Sequence, residues 1–355
     1  MTTDKIRIKD IARLSGVSIG TVDRVLHNRP NVSKESRAKV EKTLKEINYK
    51  PNMYASALAH NKKYNFICLI PRHESETYWE EIEEGAMAAC ERRSDFHIKV
   101  TMMYYRRFHQ NTFTDMTKKC LEEKPDGVII VPSEHDITKA FTDKLHEKNI
   151  PFILLDSYIP DLNPLSFYGQ DSFRSGYFAG RMLMLIAGKD KEVTIMKQMK
   201  NGNVASKQQE DREKGFLNYM SNFFPNIRIS EVDLPLDTDP SEYENILDSF
   251  FSTHKDVSNC ITFNSHAYIL GEYFQKKNIN NVKIMGYDMV RKNAECVKNG
   301  TISFLIAQHA YMQGYSCIET LFESIVLKMK VNTVNYMPIE FLTQENIQFY
   351  RRAQL

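Results

Sequence analysis

Five residues near the amino terminus, Ile19, Gly20, Thr21, Asp23 and Arg24, bring an alkyl group, a hydroxyl, a carboxylate and a guanidinium within reach of one another. They alternate with Val22, Val25 and Leu26 at a spacing that turns the apolar residues to one side of a helix and leaves the rest outside. Such an outer face can read base edges. A guanidinium donates to guanine, a carboxylate accepts from cytosine N4, and an alkyl group touches a thymine methyl. A second set stands at the ends of apolar runs. Asp156 closes Leu154-Leu155-Asp156, Asp288 closes Gly286-Tyr287-Asp288, Gln308 closes Leu305-Ile306-Ala307-Gln308, and Tyr78 and Trp79 follow the first run of the body. With Arg212 they offer donors, acceptors and aromatic faces together, which suits a polyhydroxylated ligand. Two carboxylates could also work as general acid and base, so a cleft enzyme is the alternative chemistry.

The first set needs a helix-turn-helix to present it. Ile8, Ile11, Ala12 and Leu14 recur at helical spacing, Gly16 sits where a tight turn needs positive φ, and Ser18 is placed to cap the second helix. Ser33 is the expected N-cap of a third helix, with Ser36 and Arg37 in its first turn and Val40, Leu44 and Ile47 as its inner stripe. Charge separates this region from the rest. Residues 1–64 carry 14 Lys/Arg against 6 Asp/Glu, a net +8, and the remainder carries 33 against 39, a net −6. A basic module on an acidic body is the footprint of phosphate binding. After Pro51, the stretch from Asn52 to His60 is rich in small residues and only marginally helical by itself.

The second set needs strand ends. Short apolar runs at Phe66–Ile70, Ile98–Met102, Gly127–Val131 and Phe152–Leu155 alternate with amphipathic helices, which predicts right-handed βαβ units and a parallel sheet. A break at Pro160-Asp161-Leu162-Asn163-Pro164 precedes a second series at Val193–Met196, Ile227–Ile229, Cys260–Phe263, Val282–Met285 and Ser303–Ile306. About 290 residues favour two lobes over one core. Open parallel sheets take ligands at the carboxyl ends of their strands, where these residues fall.

The dense order Ile11-Ala12, Gly16-Val17-Ser18, Thr21-Val22, Arg24-Val25-Leu26, Val32-Ser33, Arg37, Val40, Ile47-Asn48-Tyr49 and Pro51-Asn52 resembles LacI-type transcriptional regulators, and the resemblance covers essentially the whole chain. It implies an all-α helix-turn-helix headpiece (1–50), a hinge helix and linker (51–64), and an α/β domain of the periplasmic-binding-protein-like type I (65–350). That domain would have two lobes, each a parallel sheet flanked by helices: an N-lobe of about 65–164 and 309–335, and a C-lobe of about 165–308 and 336–350. The implied DNA contacts are Ser18, Ile19, Gly20, Thr21, Arg24, Asn28, Ser33, Asn52, Ala55 and Leu58, with Leu58 wedged into the minor groove at the centre of a pseudo-palindromic operator. The implied effector contacts are Tyr78, Trp79, Asp156, Arg212, Ser265, Asp288 and Gln308. Tyr78 and Trp79 match the aromatic pair stacked on a sugar ring, and Arg212 matches the ligand-clamping arginine. Two departures stand out: Asp23 replaces the usual Ser, and Ser265-His266 replaces the usual Asn-Asp. The charged run Arg72-His73-Glu74-Ser75-Glu76 reads as a solvated loop or as the mark of a charged or larger ligand.

Other function classes find little support. The polar start Met1-Thr2-Thr3-Asp4-Lys5 and the lack of an eighteen-residue apolar run predict a soluble, cytoplasmic protein with no membrane contact, against a solute-binding protein for transport. Cys68, Cys90, Cys120, Cys260, Cys296 and Cys317 form no CxxC pair and read as reduced residues, several of them in strands or helices. No metal-ligand spacing, phosphate loop or nucleophile elbow is present, so the expectation is no metal, no cofactor and no catalytic residue. Without a terminal heptad repeat, a homodimer is expected.

Overall fold

The computed structural model describes residues 7–26, 29–47, 49, 53–59, 62–187, 192–200, 202–204, 206–236 and 238–350. The chain divides into two compact units, Met1–Asn61 and Lys62–Leu355.

The first unit holds helices α1 (Ile8–Ser15), α2 (Ile19–Leu26), α3 (Lys34–Glu46) and α4 (Met53–Ala59). Ile11, Val22 and Val40 are fully buried where the first three helices meet. Gly16 turns the chain at φ 67°, a conformation that costs glycine nothing. Ser18 Oγ accepts from Thr21 N at 3.1 Å, and Ser33 Oγ accepts from Ser36 N at 3.1 Å, so both expected caps form. Leu14 departs from the expected inner stripe and is 54% exposed. Ser15 takes the inward position instead, four residues after Ile11, and its hydroxyl donates to the Ile11 carbonyl at 2.6 Å.

The second unit runs, in chain order, β1 (Tyr64–Pro71), α5 (Tyr78–Arg92), β2 (Ile98–Tyr105), α6 (Gln110–Glu122), β3 (Gly127–Ile130), α7 (His135–Glu147), β4 (Phe152–Leu155), β5 (Ser166–Gly169) and α8 (Ser172–Ile186). It continues with β6 (Glu192–Lys200), β7 (Asn203–Val204), α9 (Lys207–Phe223), β8 (Arg228–Pro235), α10 (Tyr243–Thr253), β9 (Asn259–Ile261), α11 (Tyr268–Lys276), β10 (Lys283–Tyr287), α12 (Arg291–Lys298), β11 (Phe304–Ala307), α13 (Ala310–Leu321), β12 (Val334–Tyr336) and β13 (Glu340–Leu342). One sheet has the order β12-β5-β4-β3-β1-β2 and is parallel throughout. The other has the order β13-β11-β10-β9-β6-β7, with β8 also on β6; β13 and β7 run antiparallel to their neighbours.

The first sheet extends to Gly169, beyond the boundary expected at 164. β5 carries Phe167 and Tyr168 rather than an aliphatic run, so it lacks the pattern that marks the other strands, yet it pairs in register with β4. The segment expected to separate the lobes is instead a short 3₁₀ turn, Pro160–Leu162, within the first lobe.

Helices α8 and α9 meet backbone to backbone at two glycines. A Cβ on Gly176 of α8 would lie 1.8 Å from the Arg212 carbonyl oxygen of α9, and one on Gly215 would lie 2.0 Å from the Phe173 carbonyl. Gly176→Ala must therefore drive α8 and α9 apart at the level of Arg212. The expected cost is about 1–3 kcal/mol, seen as a lowered midpoint of thermal unfolding; an unchanged midpoint would show that the contact yields freely.

Candidate effector cleft and nucleic-acid-facing helix

On α2, Val22 and Val25 face inward, while Ile19 (57% exposed), Gly20 and Arg24 face outward and Thr21 is half-buried. The Ser18 and Thr21 hydroxyls share a hydrogen bond of 2.9 Å. Asp23, the acid expected to face a polyanion, is paired with Arg29 at 3.1 Å. That pairing offsets its repulsion for phosphate. Ser33 spends its hydroxyl on the cap and on the Ser36 hydroxyl. Leu58 stands 48% exposed on α4, next to exposed Met53 and Tyr54. Asn28 and Asn52 lie outside the described residues, as does the side chain of Ala55.

In the second unit, the strand ends supply a connected polar network. Asp156 follows β4 and Asp288 follows β10, and both have left-handed backbones, φ 71° and 68°. Asp is one of the few residues with a side chain that visits this region at modest cost, and such residues cluster at functional sites. Asp156 Oδ1 accepts from the Tyr78 hydroxyl at 3.0 Å and from Gln208 Nε2 at 2.8 Å. Gln208 Nε2 also donates to Gln308 Oε1 at 3.0 Å, and Gln308 Nε2 donates to Asp288 Oδ1 at 2.6 Å. The chain of bonds therefore runs from one lobe to the other.

Arg212 is 1% exposed and stacks 4.0 Å over the Tyr287 ring. Its Nη1 donates to the Phe263 carbonyl at 2.9 Å, while its buried Nε and Nη2 have no partner. A buried guanidinium without a carboxylate pays a large desolvation cost unless something else supplies acceptors. Two unused donors beside two carboxylates and an amide mark a place for an oxygen-rich ligand.

The same burial moves protons. Asp288 is pushed up to about 6 by desolvation, against the pull of the Arg212 charge and the Gln308 hydrogen bond, with Asp156 adding to the rise. Because its folded value lies above its unfolded one, its stabilising protonation is complete below about pH 3.8 and lost as pH rises through about 6. Asp288→Asn is therefore expected to flatten the fall in stability between pH 4 and 7 by about 2–3 kcal/mol. Denaturant melts at pH 4.5 and 7.5 check this, and parallel pH profiles for the two proteins would contradict it.

The structure brings Tyr78, Asp156, Arg212, Asp288 and Gln308, expected from the sequence as ligand contacts, close to one another. Trp79 flanks them, its ring edge-on to Tyr78 at 5.0 Å and its face under the Arg107 guanidinium at 5.0 Å. Ser265 lies outside this network; its carbonyl accepts from Asn293 Nδ2 at 3.0 Å. Gln208 and Arg107 were missed. Gln208 carried a signal: four residues before Arg212, it must share that face of a helix. The absent Asp before α11 is compensated from elsewhere, since Asn293 Oδ1 accepts from Tyr268 N at 2.8 Å. The charged run at 72–76 finds protein partners: His73 pairs with Glu83 at 3.3 Å, and Glu76 with Arg291 of the other lobe at 2.7 Å. Around Tyr78, Asp288 and Gln308 the lobes leave a void of only about 10 Å³, and the Gln208–Asp156 hydrogen bond spans the two lobes.

Residues 67–327 match the model of the periplasmic binding protein domain, and residues 7–52 that of the bacterial regulatory proteins of the lacI family. A solved structure from Bacteroides fragilis, provisionally assigned as a LacI transcriptional regulator, is 43% identical with a TM-score of 0.79, covering 82% of this chain and 100% of that one. The chain belongs to the LacI family. Among curated relatives it is 28% identical to the HTH-type transcriptional regulator DegA of Bacillus subtilis over 60% of each chain. It is 27% identical to the sucrose operon repressor of Staphylococcus xylosus over 50% of this chain and 52% of that protein. The chain spans about half the length of the curated relatives it matches. LacI-family membership accounts for both units, the helix-turn-helix headpiece and the α/β domain of two sheets flanked by helices. Among the described residues, no helix is long and apolar enough to cross a membrane.

Proposed function

We propose that this chain is a cytoplasmic, homodimeric transcription regulator, most simply a repressor, whose grip on operator DNA is set by a sugar-like ligand held between its two lobes. In this reading residues 1–50 read the major groove through α2, and residues 51–64 form the hinge in the minor groove. Residues 65–350 sense the ligand and pair the two subunits. The observation that carries the reading is α2, whose Ile19, Gly20 and Arg24 are left outside a unit, Met1–Asn61, that carries 12 Lys/Arg against 6 Asp/Glu, a net +6. A solute-binding protein has no use for such a module. The cleft supplies the sensor. Arg212 brings two spare donors, Asp156 and Asp288 bring acceptors, and the Tyr78–Trp79 pair brings an apolar face. The sucrose operon repressor among its relatives points to the same ligand class. Turnover forms no part of this reading, because the carboxylates are tied to a phenol and two amides rather than to a nucleophile.

The ligand alters DNA affinity only through its different affinities for the open and closed lobes, and either sign of control satisfies that linkage. The test is a duplex selected from a random pool, titrated at rising salt. Phosphate contacts from a dimer predict a loss on the order of 10³-fold between 50 and 200 mM salt; a flat profile contradicts the headpiece assignment.

A further inference from the structure

A cavity of about 570 Å³ lies beside, and not within, the polar network, and its lining includes Gln198, Leu236, Tyr243, His266, Tyr268 and Lys292. Gln198 lies near the end of β6, Leu236 just past β8, His266 past β9, and Lys292 past β10. These are the carboxyl ends of four strands of one sheet, the same edge that carries Asp288 and Gln308. One turn walls both places. The Phe263 carbonyl accepts from Arg212, and the next residue, Asn264, accepts from His266 N at 2.9 Å and donates to Gln198 Oε1 at 3.3 Å. Arg107 of the other lobe covers Trp79 and places its positive charge on His266 as well.

Its chemistry is that of a polar ring with an apolar face. Tyr243, Tyr268 and Tyr273 supply aromatic surface, and Leu236 and Leu247 supply aliphatic surface. The buried Nδ1 of His266 has no hydrogen-bond partner. Burial, with the charges of Arg107 and Lys292, pushes this imidazole down to about 4, so it is neutral at pH 7 and can donate as well as accept. Charges in the lining balance: Lys276 is paired with Glu244, which leaves Lys292 over the Tyr268 ring and the carboxylate of Glu272. That balance disfavours a phosphate or a sugar acid. The volume lies in the range that holds a small organic ligand, whereas the void at the network is only about 10 Å³.

We infer that this cavity is a second ring subsite of the effector cleft, and that the effector is a neutral oligosaccharide of at least two rings. One ring is clamped by Arg212, Asp156 and Asp288, and the next lies against Tyr268 with its hydroxyls toward His266 and Gln198. The inference rests on the cleft being a sugar site, and its test separates the two ideas.

The full-length protein is titrated by calorimetry with maltose, sucrose, cellobiose, melibiose and xylobiose, with their component monosaccharides, and with glucose 6-phosphate and galacturonate. Thr238 also lines the cavity, so Thr238→Trp fills it, and Tyr268→Ala removes its platform; thermal melts confirm that each folds. The expected result is a disaccharide that binds about tenfold or more tighter than its component sugars, with that advantage lost in Thr238→Trp and Tyr268→Ala while the monosaccharide affinity stays within about twofold. Disaccharide binding unchanged in both variants overturns the subsite. Binding of monosaccharides alone overturns it and leaves the sugar cleft standing. Preference for the phosphorylated or acidic sugar overturns the neutral class, and no binding by any compound overturns subsite and sugar cleft together.

Discussion

Arg212→Met is expected to abolish the response to effector while leaving a folded protein that still binds DNA. Two charge-assisted hydrogen bonds from Nε and Nη2 contribute about 1.5–3 kcal/mol each, so effector affinity falls on the order of 10²–10⁴-fold. Met removes the guanidinium stacked on Tyr287, a buried cation that has no carboxylate partner, and leaves an unbranched apolar side chain in its place. Stability should therefore hold or rise, because trading a poorly compensated buried charge for an apolar group of similar shape is often neutral or better. The variant also frees Asp288 from the positive charge that holds it down, so its protonation moves further upward. Trp79, the only tryptophan of the chain, lies beside the network and reports occupancy by fluorescence. A normal fluorescence titration in Arg212→Met would place the ligand elsewhere.

Leu58→Ala should produce the mirror result. Leu58 is 48% exposed on a seven-residue helix, too short to hold itself together alone, so its side chain adds little to the stability of the free protein. In the hinge reading, two copies wedge between base pairs at the operator centre and the bend they open is repaid by added contacts. Loss of both wedges is expected to weaken operator binding by roughly 10- to 100-fold, about 1.4–2.7 kcal/mol, with effector affinity and melting point unchanged. Operator affinity equal to wild type would remove α4 from the DNA interface.

What the sequence revealed and what it hid divide by the range of the interactions. Gly16, Ser18 and Ser33 were legible because a turn or a cap is decided within three or four residues. Asp156, Asp288 and Gln308 were legible because each ends an aliphatic run, and strand ends are where parallel sheets bind. Their partnership was harder to see. Gln208 reaches Asp156 across 52 residues and Gln308 across 100, and no local pattern encodes that meeting. β5 escaped notice because an aromatic pair, not a run of branched aliphatics, fills it. Asp23 looked like an acid aimed at phosphate until folding set Arg29 beside it. Leu14 failed for a subtler reason: helical spacing allowed it inside, but Ser15 could satisfy its own hydroxyl against Ile11 and took the place.

The central claim is that one chain couples a DNA grip to a ligand cleft some two hundred residues away in sequence. Fluorescence anisotropy tests it most directly, with the full-length protein titrated into a labelled selected duplex, with and without a saturating sugar found by the calorimetric panel. Linkage predicts that the two curves separate by a factor of about 5–150, and that they coincide in Arg212→Met. Coincident curves for the wild-type protein, with the sugar demonstrably bound, would contradict the account.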